Sequence, residues 1–181
     1  NAVLEKTYLG LAAEDRAGRR WARDHGYGGY TSYASLNDLT RRASVIAELE
    51  QDIARHVALY ARDAQFDLRG RKLKLDSLWV NVMEKGAIHG PHILPHSAVS
   101  GIYYVTVPER AGAIRFEDPR LAMMMAAPQK KERARRPNQT FARVSPKPGT
   151  LLLWESFLRH EVLPNAAPGK RISISFNYAM R

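Results

Sequence analysis

Arg171-Ile-Ser-Ile-Ser-Phe-Asn-Tyr178 decides the architecture, because every second residue in it changes character. Ile172, Ile174, Phe176 and Tyr178 are apolar, whereas Arg171, Ser173, Ser175 and Asn177 are polar. A period of two places the two sets on opposite faces of one strand. The apolar face needs cover, and the polar face looks either at water or into the mouth of a barrel.

Working outward, the same alternation recurs within Leu73 to Met83, where Leu78, Val80 and Val82 alternate with Ser77, Trp79 and Asn81. Val99 to Val107 is rich in β-branched and aromatic residues, and of the neighbours Tyr103 and Tyr104 only one can face inward. Further strands are expected at Ala113–Phe116, near Phe141–Val144 within a basic, proline-bearing excursion, and at Thr150–Trp154 after the turn Pro148-Gly149. Before Gly70 the pattern is helical. Leu4, Tyr8 and Leu11 share a face that Trp21 extends, and Ile46, Leu49, Ile53, Val57 and Tyr60 form a stripe that must be buried. His56 sits at the border of that stripe and has no chemical role in this reading. The expected organisation is one structural domain, with a helical part (1–70) packed on a β core (71–181) built as a sandwich or small barrel.

Composition narrows the function. The 181 residues are 45% hydrophobic and 25% charged, the mix of a folded globular chain. There is no cysteine, which excludes disulfides, thiolate metal sites and thiol nucleophiles. No apolar run approaches the ~18 residues of a membrane span, and Glu5, Lys6 and Glu14 to Arg16 interrupt any leader-like segment. A cytoplasmic location without membrane contact is the expectation. The formal charge of +10 suits an anionic partner. Its one dense cluster, Lys130 to Arg136, contains no interleaved aromatic residue and reads as a solvated loop, with nucleic-acid contact the sharper alternative. The Tyr27–Tyr33 segment, rich in glycine and aromatics, reads as a lid or an interface; Met123 to Met125 read as loop or core, with the lining of a substrate channel the sharper alternative.

Chemistry concentrates at the histidines. His89, His92 and His96 fall within eight residues, and His160 follows the Thr150–Trp154 strand. With no cysteine available, neutral imidazole is the natural metal ligand. Eleven residues beyond His160 stands Arg171, with Ser173 on the same strand face. A guanidinium offers two parallel N–H donors and the hydroxyl a third, a fork suited to one carboxylate.

A distal histidine followed at this spacing by Arg-x-Ser resembles the 2-oxoglutarate-dependent non-haem iron oxygenases. The likeness narrows to a family of small 2-oxoglutarate/Fe(II) oxygenases through Trp79-Val-Asn81, Gly86, His92, Pro95, Ser97, Ser100-Gly101-Ile-Tyr103-Tyr104-Val, Phe116 and Asp118-Pro119-Arg120. Pro148-x-Gly-x-Leu-Leu, His160-x-Val, Pro164-Asn165 and Arg171-Ile-Ser-x-Ser-Phe-Asn continue it, so that it covers roughly residues 73–178. The resemblance implies a double-stranded β-helix (a jelly roll, cupin-like). It also implies Fe(II) held by His92 and His160, and 2-oxoglutarate clamped by Arg171 and Ser173, with Trp79 or Asn81 touching the keto acid or substrate. The implied reaction consumes dioxygen, converts 2-oxoglutarate to succinate and carbon dioxide, and oxidises an unidentified substrate.

One departure bears on this. The family usually carries a third ligand two residues after the first histidine, and here that residue is Leu94. Either His96 swings in through a kink at Pro95, which is the assignment adopted, or iron keeps two protein ligands, or metal binding is lost. His89 is a further candidate, hampered by Gly90-Pro91. Glu117 and Asp118 offer carboxylates, although Asp118-Pro119 reads as a turn cap. The rival readings are a catalytically impaired cupin-like protein that binds a metal or small anion, a three-histidine metal enzyme without keto acid, and a basic nucleic-acid binder.

Overall fold

The computed structural model describes residues 1–181. Four helices and nine strands follow one another as α1 (Ala2–Glu14), α2 (Arg16–Asp24), β1 (Gly29–Thr31), α3 (Leu39–Arg42), α4 (Ser44–Asp63), β2 (Leu73–Met83), β3 (His89–His92), β4 (Val99–Thr106), β5 (Ile114–Glu117), β6 (Phe141–Val144), β7 (Leu151–Glu155), β8 (His160–Val162) and β9 (Arg171–Met180). The strands form a five-stranded sheet in the order β1-β2-β9-β4-β7 and a four-stranded sheet in the order β3-β8-β5-β6, and every pairing is antiparallel. This is the jelly roll expected.

The helices lie on the outer face of the larger sheet. Leu4, Tyr8 and Ile46 pack on Val80, Val82, Val105, Ile172 and Ile174, and Ile53 and Val57 pack on Val99, Phe176 and Tyr178. The apolar face of Arg171–Tyr178 is thus the helix-covered one, and its polar face turns into the barrel. Helix α4 ends at Asp63, earlier than Gly70, once its apolar stripe is spent. Trp21 does not continue the face of α1, because Asp15 breaks the helix there. Its carboxylate accepts from the Gly18 N–H at 2.9 Å and caps α2.

Three strands have no counterpart in the sequence reading. β1 pairs with Asn81–Met83, so the helical segment supplies the outermost strand of the larger sheet. Gly29 opens it at φ 131°, a conformation that side chains rarely adopt, and a side chain there would run into the Val82 carbonyl. β3 and β8 are short and pair with each other, His92 opposite His160. Both carry histidines where hydrophobic periodicity would be sought, so they read as loops.

Candidate functional site

The inward face of the larger sheet carries three rows. Arg171, Ser173 and Ser175 of β9 stand opposite Met83, Asn81 and Trp79 of β2, and Tyr104 and Ile102 of β4 stand opposite Ser173 and Ser175. Tyr104 is therefore the inward tyrosine. Tyr103 faces out, its hydroxyl donating to Asn1 Oδ1 at 2.8 Å. From the smaller sheet, His89, His92 and His160 point back across the barrel.

Three imidazoles meet there. The His92 and His160 ring centroids are 4.3 Å apart, and His89 stacks on His92 at 4.2 Å. His92 and His89 are three residues apart, which in a regular strand would put them on opposite faces. The register breaks between them at Gly90-Pro91 and brings both rings to one side. His92 Nδ1 donates to the Gly90 carbonyl at 2.8 Å, and His160 Nδ1 donates to the Leu158 carbonyl at 2.8 Å. A carbonyl only accepts, so the hydrogen sits on each Nδ1 and each Nε2 keeps its lone pair. Burial keeps the rings neutral. It lowers His160 and His89 to about 4, and it also lowers His92. Two fixed, neutral imidazoles with free Nε2 atoms are suited to donate to one divalent metal.

The third position differs from expectation. His96 is not brought to the rings: it is exposed, at φ 68°, where the chain leaves Pro95 and turns outward toward β4. Leu94 fills the space instead, lining both cavities that His92 and His89 line. No group of three or more His, Asp or Glu is assembled that could hold a metal ion. Asp118 is committed elsewhere, ion-paired with Arg120 at 2.7 Å. Glu117 lies 3.7 Å from Arg159.

Arg171 is the largest fully buried side chain, 1% exposed. Its Nη1 points at Met83 Sδ, 3.0 Å away, and its guanidinium carbon lies 5.0 Å from the Tyr104 ring centroid. Nε and Nη2 have no partner, and neither do Ser173 Oγ and Tyr104 OH. An unpaired buried charge costs several kcal/mol, so a cluster of orphaned donors around a guanidinium is a socket for an anion. A carboxylate satisfies it: two oxygens accept from the guanidinium edge and from the hydroxyls. The residues present therefore fit both a keto-acid carboxylate and a metal bound by two histidines.

Asn81 has less freedom than its candidacy implied. Its Oδ1 accepts from Thr31 Oγ1 at 3.0 Å and from Tyr27 OH at 3.2 Å, and its Nδ2 donates to Ser175 Oγ at 3.0 Å. It ties β1 and the Tyr27 turn to the sheet. Above the histidines opens a cavity of about 240 Å3 whose walls include Trp21, Tyr27, Tyr33 and Trp79. Trp21, Tyr27, Thr31 and Tyr33 come from the Trp21–Tyr33 segment, whose part from Tyr27 onward is the stretch read from sequence as a lid or an interface. Their contribution depends on β1, a strand too short to show a period. Met123 and Met125 lie exposed in the loop after β5, outside the walls of this cavity.

A family model described as "Putative 2OG-Fe(II) oxygenase" matches residues 77–177. No curated protein matches the chain. Among solved structures, the non-haem α-ketoglutarate-dependent epimerase SnoN from nogalamycin biosynthesis superposes with a TM-score of 0.56 at 18% identity, covering 94% of this chain and 74% of its own. A prolyl 4-hydroxylase structure from Phytophthora capsici gives 0.54 at 16% identity, covering 90% of this chain and 52% of its own. The chain spans 46% of the length of a 2OG-Fe(II) oxygenase family protein from Burkholderia pseudomallei. At these identities the likenesses establish the jelly roll. No helix is long and apolar enough to cross a membrane.

Proposed function

The chain belongs to the 2OG-Fe(II) oxygenase family, whose model spans residues 77–177, and from that premise we propose that it couples decarboxylation of 2-oxoglutarate to oxidation of an organic substrate held in the aromatic-walled cavity. The observation that carries the reading is the buried socket: Arg171 Nε and Nη2 and Ser173 Oγ are all without partners on the barrel's inner face. Fe(II) and 2-oxoglutarate bound here would activate dioxygen, which is the oxidant: two electrons would come from 2-oxoglutarate, leaving as succinate and carbon dioxide, and two from the substrate.

In this reading His92 and His160 hold Fe(II) through their Nε2 atoms, oriented by the Gly90 and Leu158 carbonyls. Arg171 and Ser173 bind the distal carboxylate of 2-oxoglutarate, and Tyr104 OH stands ready as another donor. Asn81 is a positioning residue that fixes Tyr27 and Thr31 at the cavity wall. Leu94 leaves the metal with two protein ligands and a position open to water or an anion. His89, stacked on His92, limits that ring's rotation. The substrate is a small molecule or a side chain of a larger one, and the location is cytoplasmic.

Leu94 also favours a second reading, a cupin-like protein that binds a small anion without turnover. Anaerobic titration with Fe(II) and then 2-oxoglutarate separates the two. The oxygenase reading expects a weak visible charge-transfer band that needs both additions and is lost in Arg171→Ala. Binding of 2-oxoglutarate without any iron binding would replace it with the second reading.

A further inference from the structure

The reverse face of the histidine-bearing sheet carries a second feature. Phe116 pairs with His160 and looks into the barrel, so its neighbour Arg115 looks out. Across the β5–β6 ladder Arg115 stands directly opposite Arg143. Like charges opposed on one sheet face are destabilising, and only Arg115 has a carboxylate partner, Glu161. Lys130 and Lys131 descend onto the same face from the loop before β6. With the two arginines they line an open groove of about 780 Å3, in which Glu132 is the only acidic residue. Arg143, Lys130 and Lys131 form no ion pair, nor do Arg133, Arg135 and Arg136 beside them. Concentrated, unneutralised charge at the edge of a sheet is stabilised by a polyanion laid across it.

The groove also supplies what the linear sequence of the cluster lacks. Phe141 lies in its lining, 39% exposed, with the Arg115 guanidinium 4.7 Å from its ring centroid. A ring and a flat cation side by side, flanked by free lysines, match the two needs of an unpaired nucleotide strand: a surface for stacking and cations for phosphates. A duplex keeps its bases stacked internally, and no helix or β-ribbon protrudes here to enter its grooves. We propose that this groove binds single-stranded nucleic acid through Lys130, Lys131, Arg115, Arg143 and Phe141. The site goes beyond the oxygenase reading and does not depend on it, since the sheet separates it from the histidines.

The test is fluorescence anisotropy of the full chain with a labelled oligothymidylate of about 12 nucleotides, within the usual footprint of such grooves. Three phosphate contacts, to Lys130, Lys131 and Arg143, at about 0.7 each give a log–log salt slope near 2.1, so raising salt from 50 to 200 mM weakens binding about 20-fold. The triple variant K130E/K131E/R143E abolishes binding, and F141A weakens it roughly tenfold while leaving the salt slope unchanged. Retention of the wild-type circular dichroism spectrum and 2-oxoglutarate response keeps these variants interpretable. A slope below one, an unaffected triple variant, or equal competition by polyglutamate of matched length overturns the proposal. The last outcome identifies a generic acidic-protein surface instead.

Discussion

His92 and His160 stand directly opposite each other across the β3–β8 ladder, their rings 4.3 Å apart and each anchored through Nδ1 to a backbone carbonyl two residues upstream. The anchors do not belong to any third residue's side chain, so the two Nε2 atoms are presented by the backbone itself. The site is thereby set before any ligand arrives, and its neutral rings need no deprotonation to accept a metal at physiological pH.

Replacing either His92 or His160 by Ala lowers Fe(II) affinity by more than the roughly 10–100-fold that loss of an outer-shell partner costs. His96→Ala leaves affinity within twofold, because His96 is exposed and outside the cluster. Anaerobic isothermal titration calorimetry reads both. A strong effect at His96 with none at His92 would refute the assignment.

Arg171→Met tests the socket through stability. It removes an unpaired buried charge, so the ligand-free protein melts no lower than the wild type. At about 100 times its Kd, 2-oxoglutarate adds about 2.7 kcal/mol to the wild type, a rise of about 5–10 °C for a chain of this size. The variant gains nothing. A wild type whose melting temperature ignores 2-oxoglutarate, iron present or absent, contradicts the socket.

Leu94→Asp places a carboxylate in the cavity shared with His92 and His89. Three donors then face one point, as in a facial triad, and Fe(II) affinity rises about tenfold or more. The ligand-free variant is less stable than the wild type, because the carboxylate is buried without a cation. Unchanged metal affinity would mean that residue 94 does not face the metal position.

Asp15 gives a pH signature away from the site. Burial alone would raise its carboxyl, but hydrogen bonds from Ser35, the Gly18 N–H and Tyr30 outweigh it and hold the group below its usual value. A depressed folded-state pKa stabilises the fold above the unfolded value of about 3.9 and loses that contribution as pH falls through the folded one. Asp15→Asn is therefore less stable than wild type by about 1–2 kcal/mol at pH 7, and the gap closes below about pH 4. Urea unfolding at pH 7, 5 and 3 measures it; a gap independent of pH assigns the loss to packing.

Much of this was legible in the residues. The alternation of Arg171–Tyr178 announced which face is covered and which enters the barrel, because a strand between a helix layer and a polar interior must change character every residue. Helix α4 declared itself by its stripe for the same reason. β3 and β8 left no such trace: their inward positions carry imidazoles rather than aliphatics, and β3 has a register break at Gly90-Pro91. That break also explains why His89 joins His92, whereas His96 lies beyond the end of β3, where the chain turns outward. Spacing counts assume a regular strand, and the irregular one reverses the parity. Phe141 stands outside the basic cluster in sequence, and only the fold puts it in one groove with Lys130, Lys131 and Arg115.

The pairing of Gly29–Thr31 with Asn81–Met83 bears on how this fold can be taken apart. A junction cut at Gly70 would remove the sheet's border strand, leave Ile172, Ile174 and Phe176 bare, and open one wall of the cavity. The helices are thus not a module that recombination or protein engineering can exchange while keeping the chemistry. Any graft of this site onto another scaffold has to carry the amino-terminal segment with it.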